Sequence, residues 1–156
     1  MITSAATRVE ASTWHTAIAA VLACGYTYFD FLIAVDESDG EERGDQLAGY
    51  DLFVHLINPH VDRHDSDAVG GLRSRLLVTR VADGASVDSL TDLIAGTAWH
   101  ERQAHEMFGL EFDGFEDGTG LGLRPLLLPP GFEGHPLRKS FKLVARAVRP
   151  WPGGKE

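Results

Sequence analysis

Apolar residues near the start of the chain recur at helical spacing and then give way to strand-like runs. Trp14, Ile18, Val21 and Leu22 share one face of a helix predicted over residues 13–24, and Gly25 ends it. Residues 26–35 are aromatic and β-branched and read as a strand. Residues 50–57 alternate loosely and read as a second strand, closed by Asn58-Pro59. Residues 73–81 alternate around Leu76, Val78 and Val81, giving a third. The intervening stretches are polar. Residues 36–45 form an acidic loop with Gly40 and Gly44, and 60–71 read as another loop.

Helical spacing then returns. Val87, Leu90 and Ile94 recur at i, i+3 and i+7, which predicts a helix over 86–94 with Ser86 or Ser89 as its cap. A second helix is predicted over 98–108, stopped by Gly109. Beyond residue 111 the regime changes. Gly114, Gly118, Gly120 and Gly122 are followed by Pro125, Pro129, Pro130, Pro136, Pro150 and Pro152, a density that forbids a long helix. Short links between the strands favour antiparallel pairing. The expected fold class is therefore α+β. A two-layer domain over residues 1–120 carries a small, mainly antiparallel sheet with helices packed on it. An extended Pro/Gly-rich C-terminal docking arm follows over residues 121–156.

Composition narrows the setting. With 156 residues, 44% hydrophobic and 24% charged, the chain suits a single folded core. The longest apolar stretch near the N-terminus, residues 17–24, falls well short of the ~20 residues of a membrane-spanning helix. No basic patch followed by an apolar run and a cleavage site suggests a signal peptide. One cysteine, Cys24, excludes an internal disulfide, and a reducing cytoplasmic setting is expected, with Cys24 packed as a small apolar group at a helix end.

Net charge is −9, which argues against nucleic acid as a partner. Its distribution is uneven. Residues 1–123 hold 7 Lys+Arg and 21 Asp+Glu, whereas residues 124–156 hold 7 and 2. An acidic body thus carries a basic tail. Three seats are open to such a tail: its own body, an acidic protein partner, or anionic lipid.

Candidate chemistry is sparse. His100-Glu101 and His105 suggest a zinc protease motif, but that motif needs two histidines at i and i+4. Here the second is at i+5, about 140° round the helix from the first. His55, His60 and His64 with Asp62 or Asp65 are a second metal candidate, and solvated loop histidines are the favoured reading. No phosphate-cradling glycine loop, nucleophile elbow or iron–sulfur cysteine set is present. Glu101 aligns with Ala104 and Phe108, so its carboxylate is either wet at the rim or paired with Arg124 or Arg138. Arg102 and Glu106 read as an i, i+4 ion pair.

Two longer segments carry a family resemblance. Residues 99–110, with Glu101, Arg102, Glu106, Phe108 and Gly109, resemble the Glu-Arg-Glu-x-x-Asp-Met-Phe-Gly signature of the 30 kDa (C-type) subunit of respiratory complex I, the NADH–quinone oxidoreductase. Residues 131–139, with Gly134, Pro136, Leu137, Arg138 and Lys139, resemble the same family's second signature. Gln103, Glu106 and Ser140 depart from the pattern, and 115–120 replace a Gly-His-Pro between the signatures. The resemblance implies a structural subunit of the peripheral arm that is itself non-catalytic, with the named residues serving the signature and the subunit interface. It implies no cofactor on this chain, with FMN and the iron–sulfur clusters held by partner subunits. It also implies contact with the subunits of the terminal cluster and quinone site, at the cytoplasmic side of the cell membrane, reached through partners rather than lipid. The alternative branch is the homologous subunit of a membrane-bound [NiFe] hydrogenase or ferredoxin-linked complex. The alternative of another class is a small free-standing metal-dependent hydrolase. On this reading the leucine run 126–128 packs on helix 98–108, while the segment from Gly134 onward binds a partner. Truncation after Glu133 should then leave a folded domain.

Overall fold

Alternation along three long strands builds one sheet, and the buried face of that sheet sets where everything else packs. The computed structural model describes residues 6–39, 48–60 and 73–143. Strands β2 (Tyr28–Asp36), β3 (Gly49–Asn58) and β4 (Arg73–Ala82) pair antiparallel in sequence order. A two-residue strand β1 (Thr7–Arg8), absent from the sequence expectation, adds to β4 in parallel, so the order is β1-β4-β3-β2. Tyr50, Leu52, Val54 and Leu56 point from β3 into the core. They meet Leu32 of β2 and Leu77 and Val81 of β4. Helix α1 (Trp14–Ala23) lays Trp14 and Ile18 on this face, and helix α2 (Thr97–Phe108) adds Ala104, Met107 and Phe108. On the opposite face Asp51 accepts from Arg8 Nη1 at 3.2 Å and Arg80 Nε at 2.7 Å, joining three strands.

The helix predicted over 86–94 does not form. Ser86–Asp88 is instead a strand, β5, paired in parallel with β6 (Glu111–Asp113), with Val87 opposite Phe112 and both buried. The Ser89 amide extends the ladder to Asp113 O at 2.8 Å. Tight turns follow, with the Leu93 and Ile94 amides both donating to Leu90 O. The i, i+3, i+7 pattern was a burial pattern, met by Val87 in a strand and by Leu90 and Ile94 in the turns after it. Tertiary pairing with β6 overrides it.

Cys24 also differs from expectation. It caps α1 at its C-terminal end but is exposed rather than packed. Residues 40–45 of the expected acidic loop and 61–71 of the polar loop lie outside the described residues, as do His64, Asp62 and Asp65. No helix among the described residues is long and apolar enough to cross a membrane.

Candidate functional site

The signature residues lie on α2, which is mainly polar in sequence yet buries Thr97, Ala98, Glu101, Arg102, Ala104, Glu106, Met107 and Phe108. Three of these eight are ionisable, so each needs partners in the interior. The partners are mostly main-chain atoms of other segments.

Glu101 is fully buried. Its Oε2 accepts the Ser89 hydroxyl at 2.6 Å and its Oε1 the Leu90 amide at 2.8 Å. Ser89 donates its one proton to Glu101, so the Thr91 hydroxyl must donate to Ser89 Oγ, 2.8 Å away. Thr91 Oγ1 in turn accepts the Glu116 amide at 3.1 Å. The chain of donors runs one way, from residue 116 to the carboxylate. Burial pushes the Glu101 carboxyl above its ordinary range, opposed by the bonds from Ser89, Leu90 and Thr97, while Asp92 adds to the rise. Neither expectation for Glu101 holds. It is not at the rim, and neither Arg124 nor Arg138 meets it. Arg124 pairs with Asp117 at 2.5 Å and Arg138 with Asp83 at 3.3 Å.

Arg102 and Glu106 share one task. Arg102 donates from Nε to Arg124 O at 3.1 Å and from Nη2 to Pro125 O at 2.8 Å. Glu106 accepts the next three amides, Leu126 at 3.1 Å, Leu127 at 2.8 Å and Leu128 at 2.9 Å. A cation takes carbonyls and an anion takes N–H groups along five consecutive residues. Desolvation would raise the Glu106 carboxyl, but the amides of 127, 128 and 126 and the nearby Arg102 charge outweigh it, and it sits below its ordinary range. The predicted direct ion pair is replaced by this clamp. Arg102 also lies over the Trp99 ring, 5.3 Å from its centroid.

The end of α2 is completed from the second signature. A helix leaves its last carbonyls without intrahelical donors. Gly109, at φ 73°, closes one bond to His105 O at 2.7 Å. The next three carbonyls receive donors from some thirty residues downstream. His135 Nδ1 lies 2.9 Å from Glu106 O, the Leu137 amide donates to Met107 O at 3.2 Å, and Arg138 Nε donates to Phe108 O at 2.6 Å. A Cβ at position 109 would stand 2.6 Å from both Arg138 Nη2 and His135 Nε2, so this close approach requires glycine. Pro136 sits half-buried between two of these donors. Gly134, at φ 88°, lies against the Phe141 ring, which stacks on Phe132 at 6.0 Å.

Lys139 fastens the same segment to the sheet. Its amide donates to Asp36 Oδ2 at 2.7 Å, and its ammonium pairs with Asp39. Asp36 also accepts the Ser38 amide at 2.8 Å. Desolvation would raise the Asp36 carboxyl, but the bonds from Ser38 and Lys139 hold it below its ordinary range. Arg138 lies over the Tyr50 ring at 5.3 Å. Of the three seats open to the basic tail, Arg138 and Lys139 occupy the chain's own acidic body.

The histidines scatter. His100 Nδ1 lies 2.9 Å from Leu32 O, His105 Nδ1 2.8 Å from Leu110 O, and Glu101 faces elsewhere. His55 Nδ1 lies 2.7 Å from Asp30 and the ring stacks on Phe31. Among the described residues, no group of three or more His, Cys, Asp or Glu is disposed to hold a metal ion. Sequence reasoning missed the role of the 124–128 main chain. The available signal was Glu106 itself, a carboxylate close in sequence to Met107 and Phe108, with a proline-flanked apolar run downstream.

Comparison with known proteins places these features. The family model described as respiratory-chain NADH dehydrogenase, 30 kDa subunit, matches residues 7–147. The C-type subunit of NADH-quinone oxidoreductase from Agrobacterium fabrum is 35% identical over 121 residues, covering 78% of this chain and 50% of that protein. Its counterpart from Methylobacterium radiotolerans is 34% identical over 122 residues, covering 78% and 47%. The chain thus spans about half the length of these curated relatives. Among solved structures, a trypsin-resistant fragment (1–134) of Nqo5 shares the fold, with a TM-score of 0.56, 16% identity and coverage of 70% of this chain and 79% of that one.

Proposed function

Because the chain belongs to the 30 kDa subunit family of the respiratory-chain NADH dehydrogenase, we propose that it is a non-catalytic structural subunit of the peripheral arm of a proton-pumping NADH–quinone oxidoreductase. In this role it supports the subunits that carry the terminal iron–sulfur cluster and the quinone site, on the cytoplasmic side of the membrane. FMN and the clusters belong to those partners. One observation carries the reading: the polar side chains of the signature helix are taken up in shaping the chain itself. Glu101, Arg102 and Glu106 bind main-chain atoms and one hydroxyl, and the last two fix the course of residues 124–128. That segment leaves Leu127 and, further on, Leu137 and Leu143 at least half exposed, which suits a surface covered by a neighbouring subunit. Affinity purification of the tagged chain from its native membranes tests this. Recovery of the iron–sulfur and quinone-site subunits is expected; recovery of the chain by itself from intact complexes would refute it.

A further inference from the structure

Among the described residues, two sets of hydrogen-bonded contacts fasten residues 124–143 to α2 and the sheet, and they differ in kind. The first is the Arg102–Glu106 clamp on residues 124–128. Both of its side chains belong to residues under a tenth exposed. The second lies beyond Gly134 and leans in part on charges near water, beside the Lys139 amide bond to the buried Asp36. The carboxylates that receive Arg138 and Lys139, Asp83 and Asp39, are 60% and 66% exposed. Between the seats run Pro129, Pro130, Gly131 and Gly134. Both glycines sit at positive φ, and one backbone bond, Phe132 N–H to Pro129 O, is found there. Phe132 stacks on Phe141 and so belongs with the second seat.

Salt screens exposed charges over about 8–10 Å and reaches buried ones far less. We propose that residues 134–143 form an electrostatic strap that opens as a unit, independently of the clamp at 124–128, and that its opening uncaps the last turn of α2. Closed, the strap supplies the donors for the carbonyls of 106, 107 and 108 and covers Tyr50 with the Arg138 guanidinium. Open, it leaves those carbonyls, the negative end of the helix dipole, beside Asp36, Asp39 and Asp83. The released surface is acidic and suited to a basic segment. The strap is a property of the isolated chain and does not rest on the assembly proposed above.

Residue-resolved hydrogen exchange on the full chain tests it. The reporters are the amides of Leu137 and Lys139, bonded across to Met107 O and Asp36 of the domain. The internal controls are the amides of 126, 127 and 128 on Glu106. Raising sodium chloride from about 0.05 M to about 1 M should speed exchange at 137 and 139 together, by roughly tenfold relative to the controls. Asp39→Asn, an exposed and isosteric change, should open the same two amides at low salt and blunt their salt response. Exchange at 137 and 139 that tracks 126–128, or that ignores salt, would overturn the proposal.

Discussion

Arg102 and Glu106 stand one helical turn apart on α2, and they meet through the main chain of residues 124–128 rather than through each other. The pair acts as two hands on one strip of backbone. Removing either hand leaves polar groups of the other segment unpaired.

Glu106→Ala orphans three amides at once, two of them on Oε1 and one on Oε2. The expected loss is about 3 kcal/mol, the scale for stranding donors that had a charged acceptor. Glu106→Gln keeps one acceptor oxygen and should lose less. Urea titration of both variants measures the difference; a loss below about 1 kcal/mol for the alanine would show the amides content with water.

Glu101→Ala should cost a similar amount, because it strands the Leu90 amide and breaks the run of hydroxyls from Thr91 through Ser89. The cost follows from these hydrogen bonds, with neither Arg124 nor Arg138 as a partner. Ser89→Ala removes one link of that run and should cost about 1–2 kcal/mol. Equal stability of Ser89→Ala and wild type would contradict the chain of donors.

Acid should expose opposite signs at two carboxylates. Glu106 is held below its ordinary value, so its contribution is present above the unfolded value of about 4.3 and is lost as pH falls through the folded one. Asp36 and Asp51 behave alike. Glu101 is raised, so its contribution is full below about 4.3 and is lost as pH rises through the folded value. Between about pH 7 and pH 2, Glu106→Gln should therefore flatten the fall in stability on the acid side of about pH 5, and Glu101→Gln should remove a gain in stability that accrues as pH falls toward about 4.3. Urea midpoints across that range decide, and parallel curves for the two variants would be the wrong result.

Gly109→Ala and Gly84→Ala make a matched pair. Both glycines sit at positive φ, 73° and 77°, but the first would press a methyl against Arg138 and His135 while the second meets nothing within 4 Å. Gly84→Ala should cost about 1 kcal/mol for the backbone conformation by itself. Gly109→Ala should cost at least about twice that and speed exchange at Leu137. Equal losses would mean that the second signature yields freely.

Truncation after Glu133 should leave the body folded and the last turn of α2 frayed, since the carbonyls of 106, 107 and 108 lose their donors. A loss of about 1–3 kcal/mol is expected. Circular dichroism with a denaturant series measures both, and unchanged stability would deny the capping role.

The strands were legible because alternation over β3 and β4 is dictated by one buried face, and α2 was legible through its spacing and Gly109. The stretch 86–94 was misread because Val87 and Leu90 are buried for different reasons, one in a ladder with Phe112 and one in a turn. β1 escaped notice because two residues carry no period. At the site, the ionisable residues of α2 were visible and their partners were not. A search for opposite charges finds arginines for Glu101, whereas the interior supplied Ser89 and a backbone amide. Arg138 and Lys139 read as partner-facing because charge in a sequence does not state which surface it meets, and here Asp83, Asp36 and Asp39 answer from the same chain.

A grip on carbonyls and amides is blind to side-chain identity. Leu127, held by its amide and exposed at its side chain, is free to mutate widely while the strip stays in place, so this outward surface can be retuned toward a different neighbour without refolding α2. Proline marks the boundary of that freedom. It stands at 125, where only a carbonyl is used, and at 129, just past the grip. At 126, 127 or 128 it would take away the N–H that Glu106 holds.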